Sequence, residues 1–497
     1  MTQGCDVLVI GSGIGSLAAA AVLAKAGKRV RVLEANYLPG GCCSSYWRKG
    51  YVFEAGATTL MGFDAGQPLH LLEELLGEPL DLPLVPLEPA MTVWQDGQRI
   101  TRYRDRVAWL AEAGRAFGQA EAQRRFWQLA LGLSDFVWRV SGRNLAFPPV
   151  SVADVGKLAF GNRLTDFPKL RFAFQSTLAV ARRYGLDRNE AFVRFLDEQL
   201  LITAQNTAAH TPFLFAAPAL CYTNATNYNL VGGMIELPLA LIRYLGRHGG
   251  DVRLRRRADS IERTPEGYRV TDDTGTVHTA RQVLSGLPAW NLPALLPETD
   301  RKSFAQAADA LTDYWGAYTL GLATDDTYPD DLTLHHQFIL PPGQLLPVLG
   351  SRSVFVSLSQ RNDTARAPAG QRVLAVSTHA HNPQQWFTLG DDYAGTKAAV
   401  TEAILALLEQ SLPGFARAHI RYQTDSSPVT WQQWTLRHVG TVGGIPQSLS
   451  RPLYRWLGAT TPLPGLYRCG DTVYPGQGVP GVALGGIIAA QRMLTGR

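Results

Sequence analysis

The sequence predicts an α/β fold in which a parallel-sheet, nucleotide-binding unit is interleaved with a second unit of mixed β-sheet plus helices. Three observations carry this: a strand–glycine turn–helix–strand run at the N-terminus, a glycine-rich approach to an apolar helix near the C-terminus, and a middle where helical periodicity gives way to strands. The 497 residues exceed one domain of about 150 residues. Hydrophobic residues at 46% against 18% charged supply a sizeable core and exclude a disordered chain. No apolar stretch approaches the roughly 18 residues of a spanning helix, and Met1–Cys5 is not the basic start of a secretory signal. Five scattered cysteines form neither a disulfide framework nor a zinc spacing, so a reducing cytoplasm is expected. A net charge of +5 permits contact with anionic lipid and does not argue for nucleic acid.

Asp6–Ile10 is a β-branched strand that runs into Gly11-Ser12-Gly13-Ile14-Gly15-Ser16 and then the alanine-rich helix Leu17–Ala26, closed by Gly27. A second strand, Arg29–Leu33, ends at Glu34, followed by Ala35. In such a βαβ unit Gly11 permits the tight turn, and Gly13 lets backbone approach a pyrophosphate on the helix N-terminus beside Ile14 and Gly15. Glu34 is spaced to accept hydrogen bonds from ribose hydroxyls. Ser16 stands where the motif has its third glycine, the residue that governs helix–strand packing.

Beyond Glu34, the pair Gly40-Gly41 before Cys42 exposes backbone N–H groups close to the ribose acid. Near the C-terminus, Gly465–Gly470 reads as a short strand ending in Asp471. Tyr474-Pro-Gly-Gln-Gly478-Val479-Pro480-Gly481 then leads into the helix Val482–Leu494, and Pro480 suits a first helical turn. No second strand–GxGxxG–helix unit follows, so no separate pyridine-nucleotide domain is expected.

Residues 66–225 are mostly helical in pattern, clearest at Leu69–Leu76, Ala108–Ala116, Arg124–Val140 and Leu178–Leu201. After Gly232-Gly233 a helix, Leu237–Leu245, precedes strands at Asp251–Arg256, Tyr268–Thr271 and Val277–Leu284. From about 300 to 440 strands such as Ala317–Leu322, Val354–Leu358 and Val373–Thr378 suggest a sheet flooring a substrate cavity.

With these pieces placed, the chain resembles the phytoene desaturase, carotenoid isomerase and retinol saturase group. Asn227–Gly233, Ser357–Asp363, Gly440–Pro446 and Tyr474–Gly478 are similar in order and spacing to its isomerase branch. The resemblance implies a Rossmann-type FAD-binding domain, a parallel sheet with a crossover β-meander, built from 1–65, 226–300 and 441–497. It implies a substrate domain from 66–225 and 301–440. FAD would be the cofactor, held by Gly11, Gly13, Ile14, Gly15, Ser16, Glu34, Ala35, Gly40, Gly41, Cys42, Gly470, Asp471, Gly478, Val479 and Pro480, with backbone near Ala258–Ile261 facing the adenine. Asp471 falls to the ribityl and pyrophosphate region. The implied substrate is a long apolar polyene, desaturated by hydride transfer to flavin N5 or isomerised with reduced flavin, in a dry, apolar tunnel. The electron acceptor, a quinone or O2 among the choices, stays open. A flavin amine oxidase and a non-enzymatic prenyl-lipid carrier are the alternatives of the same fold.

Acid–base candidates are Asp197 and Glu198 in the apolar helical setting Phe195–Ile202, where burial would raise a carboxyl pKa; a helix cap or solvated face is the competing reading. His379 and His381 alternate on a strand without a third ligand, so they read as polar lining and no metal is expected. A substrate of this kind is costly to carry through water at about 0.8 kcal/mol per buried carbon, which favours extraction from a bilayer. Val155–Arg188 offers Lys157, Arg163, Lys169, Arg171, Arg182, Arg183 and Arg188 interleaved with Phe160, Phe167, Phe172 and Phe174, as either a membrane-contacting part within about 120–190 or a solvated basic face. The expected location is cytoplasmic and peripheral to a membrane.

Overall fold

The β-branched run at the N-terminus forms the strand Cys5–Ile10, almost wholly buried, and the alanines after it form the helix Ile14–Lys25. The computed structural model describes residues 4–160, 163–304 and 314–496. Small side chains decide how this helix packs. It is buried from Ile14 to Ala24, so neighbours approach on every side rather than along one amphipathic stripe.

A seven-stranded sheet runs in the order Asp251–Arg253, Val30–Leu33, Cys5–Ile10, Val277–Ser285, Gly267–Asp272, Ala258–Thr264, with Leu466–Arg468 also on Val277–Ser285. The first four strands and Leu466–Arg468 are parallel; the last two fold back as an antiparallel meander. Strands from three separate stretches of chain thus share one sheet, and the C-terminal helix Val479–Thr495 returns to pack on Ile14–Lys25.

An eight-stranded sheet runs Ile420–Ser426, Trp315–Asp325, Gln371–Ala380, Ser353–Leu358, His335–Ile339, Met91–Gln95, Gln98–Arg102, with Thr441–Val442 on Trp315–Asp325. The hairpin Met91–Arg102 comes from the block expected to be mostly helical; its first strand is buried at Met91, Thr92, Val93 and Gln95 and its second from Ile100 to Arg102. Leu178–Leu201 is likewise two helices, Thr177–Arg182 and Glu190–Thr203, separated by a turn through Gly185. The strand expected at Asp251–Arg256 stops at Arg253, because Arg255 takes a positive φ that turns the backbone toward Asn36 and Glu34.

The helices between 106 and 220 pack around an aromatic core in which Trp109, Trp127, Phe126, Phe192 and Phe195 are fully buried. Arg102 lies among them, its guanidinium 4.1 Å from the Trp109 ring and hydrogen-bonded to Gln199, Thr223 and the Leu220 carbonyl. Stacking and these acceptors compensate a buried charge that has no carboxylate paired with it among the described residues.

Candidate functional site

The N-terminal glycine turn and the C-terminal glycine approach meet because two helices touch through backbone. A Cβ on Gly15 would stand 2.8 Å from the Val482 carbonyl oxygen, and one on Gly486 would overlap the Gly15 carbonyl oxygen. Ser16, the departure from a third glycine, is accommodated from the opposite side: a Cβ on Gly286 would overlap its hydroxyl, so the strand end after Ser285 yields the space.

Apart from Ile261 and Pro480, every residue marked for the cofactor from the sequence borders one cavity of about 820 Å3. Ile261 is 1% exposed in the core under the parallel sheet; a register shift between Ala258 and Ser260 leaves Ala258 and Asp259 on the cavity wall instead. Pro480 occupies the first turn of its helix with its ring toward Gly62, where a Cβ would lie 3.1 Å away, so it packs inward while Val479 faces the cavity.

The cradle suits a dinucleotide. The helix Ile14–Lys25 starts at Gly13 with no side-chain cap and no acid in its first turn, and a Cβ on Gly13 would meet nothing within 4 Å. Uncapped N–H groups and the positive helix end therefore face open space, as a pyrophosphate requires. Glu34 Oε2 accepts from the Ser12 amide at 2.8 Å and the Ser12 hydroxyl at 2.6 Å, while Oε1 accepts from the Asn36 amide at 2.7 Å. These bonds hold the carboxylate beside the turn and leave lone pairs for ribose hydroxyls.

Across the cavity Asp471 pairs with Arg437 at 2.9 Å. Arg437 also donates to the carbonyls of Thr441 at 2.7 Å and Gly443 at 2.6 Å, which clamps the segment carrying Gly443 against Asp471. Cys42 borders the cavity near both, and burial pushes its thiol up, so it stands neutral there. Arg437 and Gln205, a second wall residue, carry no motif in the sequence.

Beyond the cradle the cavity meets the larger sheet. Ser426, Thr319, Ser377 and Phe355 lie side by side in register across four strands, and His379 lies beside Ala317 on the adjoining row. The floor thus sets hydroxyls beside the Phe355 ring within a cavity whose lining is largely apolar. Burial and the neighbouring His381 lower the His379 imidazole to about 4, so the ring is neutral.

The structure places Asp197 and Glu198 on the helix Glu190–Thr203 but not on the cavity wall. Asp197 accepts from the Ala208 amide at 2.7 Å, and Glu198 accepts from the Ser353 hydroxyl at 2.6 Å. Burial raises both carboxyls, Glu198 to about 6. They satisfy a turn and a strand end, and Ile202 reaches the cavity in their place because it lies one helical turn further on.

The basic segment is reshaped too. Phe172 is buried, Lys169 is paired with Asp166 at 3.3 Å and Arg182 with Asp187 at 2.9 Å. The Phe160 side chain lies outside the described residues. Val152 at 90%, Phe174 at 72%, Phe167 and Leu170 are exposed. Among the described residues no helix is long and apolar enough to cross a membrane.

The chain is 27% identical to prolycopene isomerase 2, chloroplastic, of an Oncidium hybrid cultivar, covering 98% of this chain and 83% of that one. It is 26% identical to the neurosporene-forming phytoene desaturase of Rhodobacter capsulatus, covering 97% and 93%. A solved structure of putrescine oxidase bound to putrescine aligns with a TM-score of 0.62 at 18% identity over the whole of both chains, which shows the shared fold. Residues 17–494 match the family described as flavin containing amine oxidoreductase. The chain belongs to this family, as an oxidoreductase whose cofactor is FAD.

Proposed function

We propose that the protein acts on a long conjugated polyene of the carotenoid class, by desaturation or by cis–trans isomerisation. The observation that carries this reading is the similarity to prolycopene isomerases and phytoene desaturases along nearly the entire chain. A single cavity that joins the cofactor cradle to an internal sheet floor supports it, because an extended substrate must lie against the flavin ring.

Bound FAD supplies a two-electron acceptor or, when reduced, a donor to the polyene. The protein's part is positional. The helix N-termini at Gly13 and Gly478 would face anionic groups of the cofactor, Glu34 and Asp471 would hold its hydroxyls, and the walls from Ile202, Phe355 and Val479 would exclude water from the reacting carbons. No carboxylate at Asp197 or Glu198 takes part, since neither reaches the cavity. Expression in cells that accumulate a defined carotenoid tests the reading. A product lighter by two hydrogens means desaturation, and equal mass with altered retention means isomerisation; an unchanged pool in cells containing the yellow holoprotein removes the proposal.

We further propose that the enzyme works at a membrane surface. The exposed side chains of Val152, Phe167, Leu170 and Phe174 follow one another on consecutive segments beside exposed Lys157, Arg163 and Arg171. Apolar anchors with flanking cations suit an anionic interface.

A further inference from the structure

His379 stands apart from the rest of the cavity's chemistry. It lies on the wall, its Nδ1 is shut off from solvent, and neither ring nitrogen has a hydrogen-bond partner among the described residues. Its neighbours are apolar faces and edges: Trp315 at 6.0 Å and Phe355 at 6.1 Å between ring centroids, both near perpendicular. His381, the titratable group nearest along the strand, is turned onto Trp315 at 4.0 Å. A neutral imidazole offers one donor and one acceptor; Nδ1 is sealed from solvent, so Nε2, which no described residue engages, is the nitrogen left to a molecule in the cavity.

A second observation is independent of the ring. Thr319, Ser377 and Ser426 form a row of hydroxyls across the floor, and among the described residues their side chains have no hydrogen-bond partner. Thr378, one residue from each of Ser377 and His379, faces the other side of the strand and donates to the Ser353 carbonyl at 2.7 Å. The unused hydrogen-bonding groups are therefore those on the cavity side. A hydrocarbon laid on this floor would cover four polar groups without answering any of them.

The geometry points to a substrate that carries oxygen at its terminus, a hydroxylated or carbonyl-bearing polyene, whose oxygen function hydrogen-bonds His379 and the Thr319–Ser377 hydroxyls. This rests on the polyene reading above and deepens it: His379 is a specificity-determining residue that selects oxygenated over hydrocarbon chains. A hydroxyl can give or take a hydrogen bond and so meets Nε2 in either tautomer, whereas the hydrocarbon analogue leaves it unanswered.

The test compares binding of lycopene and of rhodopin, the same carbon skeleton bearing one terminal hydroxyl, to the FAD-loaded protein by quenching of tryptophan emission. The wild-type protein is expected to hold rhodopin about tenfold more tightly, the worth of one good hydrogen bond. In His379→Phe the ratio is expected to fall to about one through weaker rhodopin binding, whereas His379→Gln keeps part of it. Equal affinities in the wild type, or an undiminished ratio in His379→Phe, overturn the inference while leaving the polyene reading in place. Binding of neither pigment removes both. Retained flavin absorbance shows that a variant is folded; if His379→Phe loses it, Ser377→Ala replaces it, and an unchanged ratio there overturns the inference.

Discussion

The backbone of Gly486 lies so close to the Gly15 carbonyl oxygen that one methyl group on Gly486 would overlap it. This contact brings the first and last helices together and, with them, the two glycine segments that border the cavity proposed for the flavin. Gly486→Ala is expected to cost about 3 kcal/mol through overpacking and to lower flavin content in the purified protein. Thermal unfolding and the flavin-to-protein absorbance ratio measure both, and an unaffected ratio would show that the cradle tolerates separation of the helices.

Glu34 holds its carboxylate ready through two bonds from Ser12. Glu34→Gln is expected to weaken FAD binding about tenfold to a hundredfold, the range for hydrogen bonds to a charged acceptor. Titration of apoprotein with FAD checks this, and unchanged affinity would mean that the ribose lies elsewhere.

Arg437 satisfies Asp471 and two carbonyls at once. Arg437→Met would leave those acceptors without their donor, at a cost of about 3 kcal/mol. Arg437→Lys restores charge without the fork and should recover only part. Flavin dissociation rates of the two variants separate the clamp from simple charge.

Glu198 yields a pH signature. Burial raises its folded carboxyl from 4.5 to about 6, so folding takes up a proton and the wild type loses stability as pH rises from about 4.5 to 6. Glu198→Gln removes that loss: its melting temperature relative to wild type should climb through this window and level off above it. Since Glu198 lies off the cavity, turnover should persist. Loss of turnover with stability intact would return Glu198 to the chemistry.

Replacing Val152 and Phe174 by Ser removes exposed apolar area without touching the core. Flotation with anionic vesicles should fall severalfold at unchanged melting temperature; undiminished flotation would place the membrane contact elsewhere.

Local patterns in the chain were sufficient for the cradle. Gly11, Gly13 and Glu34 lie within one βαβ unit whose geometry follows from short-range sterics, so their placement needed no distant information. The alternation Ala317, Thr319, Gly321 against Tyr318, Leu320, Leu322 was also readable as two faces of a strand, although not which face would meet the cavity.

Residues whose role depends on a partner far along the chain were not readable. Arg437 matters because Asp471 lies beside it, Asp197 and Glu198 lost their catalytic reading because Ala208 and Ser353 occupy them, and Phe172 turned inward while Phe174 did not. The sequence by itself determined the nucleotide motif, its acid and the strand-rich second half, since these express backbone periodicity and turn chemistry over a few neighbours. Only the tertiary structure decided which side chains share the cavity, because burial and pairing are set by segments that meet in space and leave no local trace.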